Sequence, residues 1–213
     1  MSLSLKSEEV LVLCGLALSV CLVLVTIVQP WIDPRWLYMD TQTVGELSGD
    51  CCHIYDGAVS TLGIMLWSAT AAICLFAAVL CIAADQKRAA LFSLHGSLLS
   101  AFLALDDAYL LHEIVAPKIG IPQIVFMALI GVAALSYLIL HARFLRQSGA
   151  WILAISLICF AISVGIDQIF HSIHPLWIIA EDGPKFIGIA AWFLFHLWTH
   201  TKLILRSIRP ISA

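Results

Sequence analysis

The sequence predicts an all-α, polytopic membrane protein: a single bundle of six transmembrane helices filling residues 1–213, with both termini in the cytoplasm. Composition is the first ground. Of 213 residues, 62% are hydrophobic and 12% charged, with a mean hydropathy of +1.00, whereas a soluble domain carries roughly 25% charged residues. The second is length: six apolar runs, at about 9–29, 57–83, 89–115, 121–142, 150–173 and 184–205, each reach the roughly 20 residues that cross a bilayer. The third is the placement of lysine and arginine. Eight bases lie at the N-terminus, the 83–89 and 142–150 turns and the C-terminus, and only Arg35, Lys118 and Lys185 lie on the other side, which orients both termini inward.

Each run has its own punctuation. The first, apolar from Val10 to Val28, is too long for a signal-peptide core and lacks a small-x-small cleavage site, so it is expected to stay as a helix. Gln29-Pro30 closes it, and a long outer loop, 30–56, follows with Trp31, Trp36 and Tyr38 near its start, residue types that favour the headgroup level. Ala116-Pro117 ends the third run and Ile121-Pro122 opens the fourth, each proline standing where a missing N–H costs least. Gly149 separates the fourth from the fifth, and His174-Pro175 is expected to stop the fifth, because a residue before proline avoids the α region. Leu176–Ala180 then reads as an apolar link, with Asp182 as N-cap and Glu181 as dipole partner of a sixth helix beginning near Pro184.

Five of the seven cysteines fall inside helices, where cysteine is most often a small apolar residue, while Cys51 and Cys52 sit side by side in the outer loop. The chain has no asparagine and so no N-glycosylation sequon. Nothing in it points to nucleic acid.

The acids are distributed unevenly. On this topology the outer side and outer helix halves carry eleven acids against three bases, a formal −8, and the inner side three acids against eight bases, +5. An outer mouth so charged attracts cations. Ionisable groups at membrane depth cost several kcal/mol unless they pair, bind an ion or face water, and three sets lie there: Asp106, Asp107, His112 and Glu113; Asp167, His171 and His174; Glu181 and Asp182. At 100° per residue Asp106 and Glu113 share a face of the third helix, while Asp107 and His112 point elsewhere; Asp167, His171 and His174 share a stripe of the fifth.

Carboxylates and imidazoles projecting from facing helices are a common way for bundles to hold divalent metals. Asp106, Asp167, His171, His174 and Glu181 are therefore the candidate ligands of a zinc, iron or manganese ion, with Asp167 and His171 at the i, i+4 spacing that lets both reach one ion. Glu113 and Asp106 are the candidate catalytic residues: two turns apart, they could flank a pair of metals, or one could bind an ion while the other serves as base or orients the bound ligands.

A second constellation lies toward the cytoplasm: His95, His141, His196 and His200, the last two an H-x3-H pair. His95, Asp106 eleven residues on, and the late H-x3-H resemble the pattern of the alkaline ceramidase and progestin/adiponectin-receptor superfamily of membrane zinc hydrolases. In that superfamily a serine stands four residues before the first histidine, where this chain has Leu91, and the bundle has seven helices. Moreover, His95 and Asp106 in one helix stand about 16 Å apart, too far to share an ion. No function is carried over.

Three function classes fit the sequence. A metal-dependent membrane enzyme, hydrolytic or oxidative, acting on a lipid or amphiphile, is preferred because carboxylates and histidines mix on phased helix faces. A proton- or cation-coupled transporter or channel is disfavoured by the lack of repeats and of broken helices, and a non-catalytic subunit or assembly factor is the third; the expected partners are membrane lipid and either a second copy of the chain or a membrane complex. The compact chain without eukaryotic sorting signals is expected in a bacterial cytoplasmic membrane, its site facing the non-cytoplasmic side.

Overall fold

A computed structural model describes residues 5–49, 53–147, 149–169 and 174–208. Every regular element among them is helical: α1 (Leu5–Val28), α2 (Pro34–Tyr38), α3 (Thr41–Ser48), α4 (Ala58–Ala83), α5 (Lys87–Tyr109), a π-helical turn (Leu111–Val115), α6 (Ala116–Lys118), α7 (Gln123–Leu140), α8 (Ala142–Gln147), α9 (Ala150–Ile169) and α10 (Pro175–Ile208). Among the described residues five helices are long and apolar enough to cross a membrane: α1 from Glu9, α4, α5, α7 and α9. These are the helices of a multi-pass membrane protein. The sixth expected run lies inside α10, which falls outside this set because His196, His200 and Lys202 dilute its apolar stretch.

The chain divides into two compact units. One comprises Met1–Gly63 and Trp151–Leu194, the other Ile64–Ala150 and Phe195–Ala213. In the first unit the segment after α1, expected as an outer loop, folds into α2 and α3, because two aspartates satisfy the orphan N–H groups at their starts. Asp33 accepts from Arg35 N, and Asp40 accepts from Gln42 N and Thr43 N at 2.9 Å each. The Thr26 and Tyr38 hydroxyls, 2.7 Å apart, tie α2 to α1. The Ser156 hydroxyl donates to the Gly188 carbonyl at 2.8 Å and ties α9 to α10.

Two boundaries differ from expectation, each for a backbone reason. α10 begins at Pro175, where the fixed φ of proline suits the first helical turn, and it runs on through Pro184. Leu176–Ala180 is thus helix rather than a link, and Glu181 and Asp182 lie inside α10 rather than capping it. The helix expected over 89–115 ends instead at Tyr109, where Leu110 takes a left-handed conformation (φ 51°, ψ 46°) and the chain re-enters as a π-turn. A left-handed non-glycine residue costs on the order of 1 kcal/mol, and the turn it permits re-phases everything after it.

In the second unit α4 and α5 are joined by the short turn 84–86, with Asp85 at φ 53°. The Ser97 hydroxyl crosses between them to the Ala71 carbonyl at 2.9 Å. Cys81, Ala89 and Ala90 form a buried cluster at this hairpin, with Phe144 and Leu203 packed against it. Small residues here let the helices approach closely, as membrane helix packing requires.

Candidate metal-binding site

The group with metal-ligating chemistry is built from α4 and α10 in the second unit. Cys74 Sγ stands 3.3 Å from His196 Nδ1 and 3.9 Å from His200 Nδ1, and one donor atom from each of the three residues lies within 4.8 Å of the other two. All three are fully buried. His196 and His200 reach the same place because i, i+4 residues share a helix face.

The tautomer of His200 follows from its helix. Its Nδ1–H donates to the His196 carbonyl at 2.8 Å, which places the ring's lone pair on Nε2, and Nε2 is buried without a hydrogen-bond partner. A metal-ligating histidine commonly donates its other N–H to a backbone carbonyl in this way. A buried lone pair left unmade costs about 1–3 kcal/mol, and a cation would remove that cost. A tetrahedral ion with sulfur at about 2.3 Å and nitrogen at about 2.0 Å holds the two donors about 3.5 Å apart, close to the 3.3 Å between Cys74 Sγ and His196 Nδ1. The donor set is therefore able to hold a metal ion.

An aromatic wall fixes the imidazoles. Phe92 stacks on His200 with ring centroids 5.3 Å apart and planes 4° from parallel, and on Phe144 at 5.0 Å. Tyr137 lies 5.9 Å from the His196 ring and 5.2 Å from His95. Glycine at residue 96 lets α5 lie close against the group. A β-carbon there would stand 3.1 Å from His196 Cε1, 3.3 Å from the Tyr137 hydroxyl and 3.5 Å from Cys74 Sγ. Ser93, on the same face of α5 one turn earlier, is fully buried and its hydroxyl has no partner. Beyond Tyr137, His95 Nδ1 and His141 Nε2 lie 3.3 Å apart.

The acids selected from sequence occupy other places. Asp106 is buried beside the π-turn, where its Oδ1 accepts the His112 backbone N–H at 3.0 Å and its Oδ2 meets His112 Nδ1 at 2.8 Å. His112 Nε2 is 3.4 Å from Glu113 Oε1. The structure thus brings Asp106 and Glu113 together through His112, a residue that uninterrupted helical phase turns away; the left-handed Leu110 is what swings it back. His112 lies past the end of the apolar span of α5. Burial opposes its charge, but the hydrogen bonds it donates to Asp106 and Glu113 outweigh that and hold its pKa up at about 9. Asp107 accepts from Trp67 Nε1 at 3.0 Å.

In the first unit Asp167 lies near the end of α9, half-buried, accepting from Gln168 Nε2 at 2.9 Å. His174 is exposed before α10, and its Nδ1 accepts from Leu176 N at 3.3 Å. Glu181 is half-buried within α10. His171, the i+4 partner of Asp167, lies outside the described residues, as do Cys51 and Cys52. None of the predicted ligands belongs to the group of Cys74, His196 and His200, the one such group among the described residues.

The H-x3-H spacing was the available signal for this site, but it supplies two donors. The third, Cys74, is indistinguishable in sequence from Cys81, which is also fully buried and belongs to the apolar cluster. No curated protein and no solved structure matches the chain. The model of the family described as domain of unknown function DUF8692 matches residues 10–199, and the chain belongs to that family.

Proposed function

We propose that this chain is a multi-pass membrane enzyme that holds one zinc ion on Cys74, His196 and His200 and acts on a lipid or amphiphile. The observation that carries the reading is the buried, unpartnered Nε2 of His200 beside a buried thiol and a second imidazole. One sulfur and two nitrogens suit a borderline-soft ion such as zinc, whereas manganese favours carboxylate and water. Three protein ligands leave a fourth position open, the arrangement of catalytic rather than structural zinc. Bound there, zinc would serve as a Lewis acid toward a carbonyl or phosphoryl oxygen.

The chain's own residues supply the rest. Phe92 and Tyr137 keep water from the imidazoles, and the His196 carbonyl keeps the Nε2 lone pair of His200 aimed away from its own helix. His95 and His141, bonded to each other next to Tyr137, are placed to take or pass a proton. The basic inner side orients this end of the second unit toward the cytoplasm, in a bacterial inner membrane.

Elemental analysis of the purified protein tests this reading. Wild type should carry stoichiometric zinc, and Cys74→Ser and His200→Ala should each reduce it to a trace while the protein keeps its elution volume and helical circular dichroism. A wild-type protein that holds no transition metal, and takes up none on titration, would overturn it.

A further inference from the structure

A cleft of about 660 Å³ opens on the second unit between α5 and the α7–α8 corner, with Arg88, Arg143, His95 and His141 among its lining. Its remaining walls are apolar. On α5, Arg88, Leu91, His95 and Leu98 fall at i, i+3, i+7 and i+10, one face of the helix. The distance along the axis from Arg88 to Leu98 is about 15 Å, half of the roughly 30 Å hydrocarbon core and so the depth of one leaflet. Leu91 is 61% exposed, Leu98 62% and Leu140 71%, so the cleft opens toward the surface that lipid covers.

Its charge is one-sided. Both guanidiniums are exposed, and among the described residues neither makes an ion pair. The neighbouring acid, Asp85, turns instead to Lys87 at 3.9 Å. α5 begins at this same end, and its N-cap residue, Gln86, contributes no side-chain cap to the first-turn N–H groups, so the helix dipole adds to the positive field of the two arginines. In the His95 to His141 bond one ring accepts, and that ring carries its own N–H on its other nitrogen, a further donor for an anion.

We infer that this cleft seats an anionic phospholipid, with its phosphate between Arg88 and Arg143 and one acyl chain along Leu91 and Leu98. The inference deepens the amphiphile part of the proposed function. It gives that amphiphile a class and a point of entry beside His95 and His141, which adjoin Tyr137 and Phe92 and through them the metal-binding imidazoles.

Native mass spectrometry of protein released from nanodiscs containing equal phosphatidylglycerol and phosphatidylcholine, matched in acyl chains, is the test. Wild type should retain phosphatidylglycerol over phosphatidylcholine by on the order of tenfold, the effect of two juxtamembrane arginines. The R88Q/R143Q double variant should fall to parity, and Leu98→Trp, which narrows the tail groove without touching charge, should lose retained lipid of both kinds. Glycerol phosphate in excess should not displace the lipid. Parity in wild type, a preference that survives R88Q/R143Q, or displacement by glycerol phosphate alone, which would mark a soluble-anion site, each overturns the inference. Zinc content read on the same samples keeps the two proposals apart: R88Q/R143Q should leave it unchanged.

Discussion

Two places in the second unit hold buried ionisable groups, and they have settled in opposite ways. At the end of α5, Asp106 is satisfied by a residue six positions away, taking both the backbone N–H and the ring nitrogen of His112. In the other place Cys74 meets His196 across 122 positions of sequence, and the Nε2 of His200 is left buried and unpartnered. The difference lies in what the nearby backbone offers. A helix end exposes N–H groups that a carboxylate can accept from, and the aspartates at 33, 40 and 106 all do so. A thiol and imidazoles in mid-helix face only bonded backbone, so their remaining capacity is open to a ligand. Ionisable groups thus divide by whether a helix terminus is within reach, not by charge or by helical phase alone.

The comparison is broken most directly by asking which place a metal ion takes. Asp106→Asn and Asp167→Asn should retain the zinc that Cys74→Ser loses, read as metal per chain; loss in the aspartate variants with retention in Cys74→Ser would move the ion to the acids. Asp106→Asn should instead lower stability by about 2 kcal/mol, since it weakens a charge-assisted bond to a buried partner, visible as a melting point lower by about 5 °C. An unchanged melting point would show that the Asp106 to His112 pair is not what holds the π-turn.

Gly96→Ala sharpens the other half. Its new methyl, 3.1 Å from His196 Cε1, should displace that ring and weaken zinc about tenfold in a competition titration, with the apo protein still folded. The last test is pH. His112 has its pKa raised from 6.5 to about 9 in the folded protein, so its stabilisation is fully present below about 6.5 and is lost as pH rises through about 9. Melting temperatures measured across that window should decline in wild type and lose this slope in His112→Gln.

Much of the fold was legible because it needs only local information. Run lengths located α1, α4, α7 and α9 to within a few residues, and Ile121-Pro122 marked the start of α7. Helical phase failed at Leu110, since a left-handed leucine in mid-pattern has no sequence signature, and beyond it His112 faces Asp106 rather than away. Proline also misled at 184, where a helix already running from Pro175 continues through it.

The amino-acid sequence by itself determined that this is an apolar, multi-helix membrane chain, and it displayed the His196 and His200 pair on one face of one helix. Tertiary structure alone brought Cys74 to that pair and gave Asp106 its partner within its own turn. Hydrophobicity and period are properties of neighbours in the chain, while a ligand set depends on which helices pack together and on which lone pairs the local backbone has already claimed.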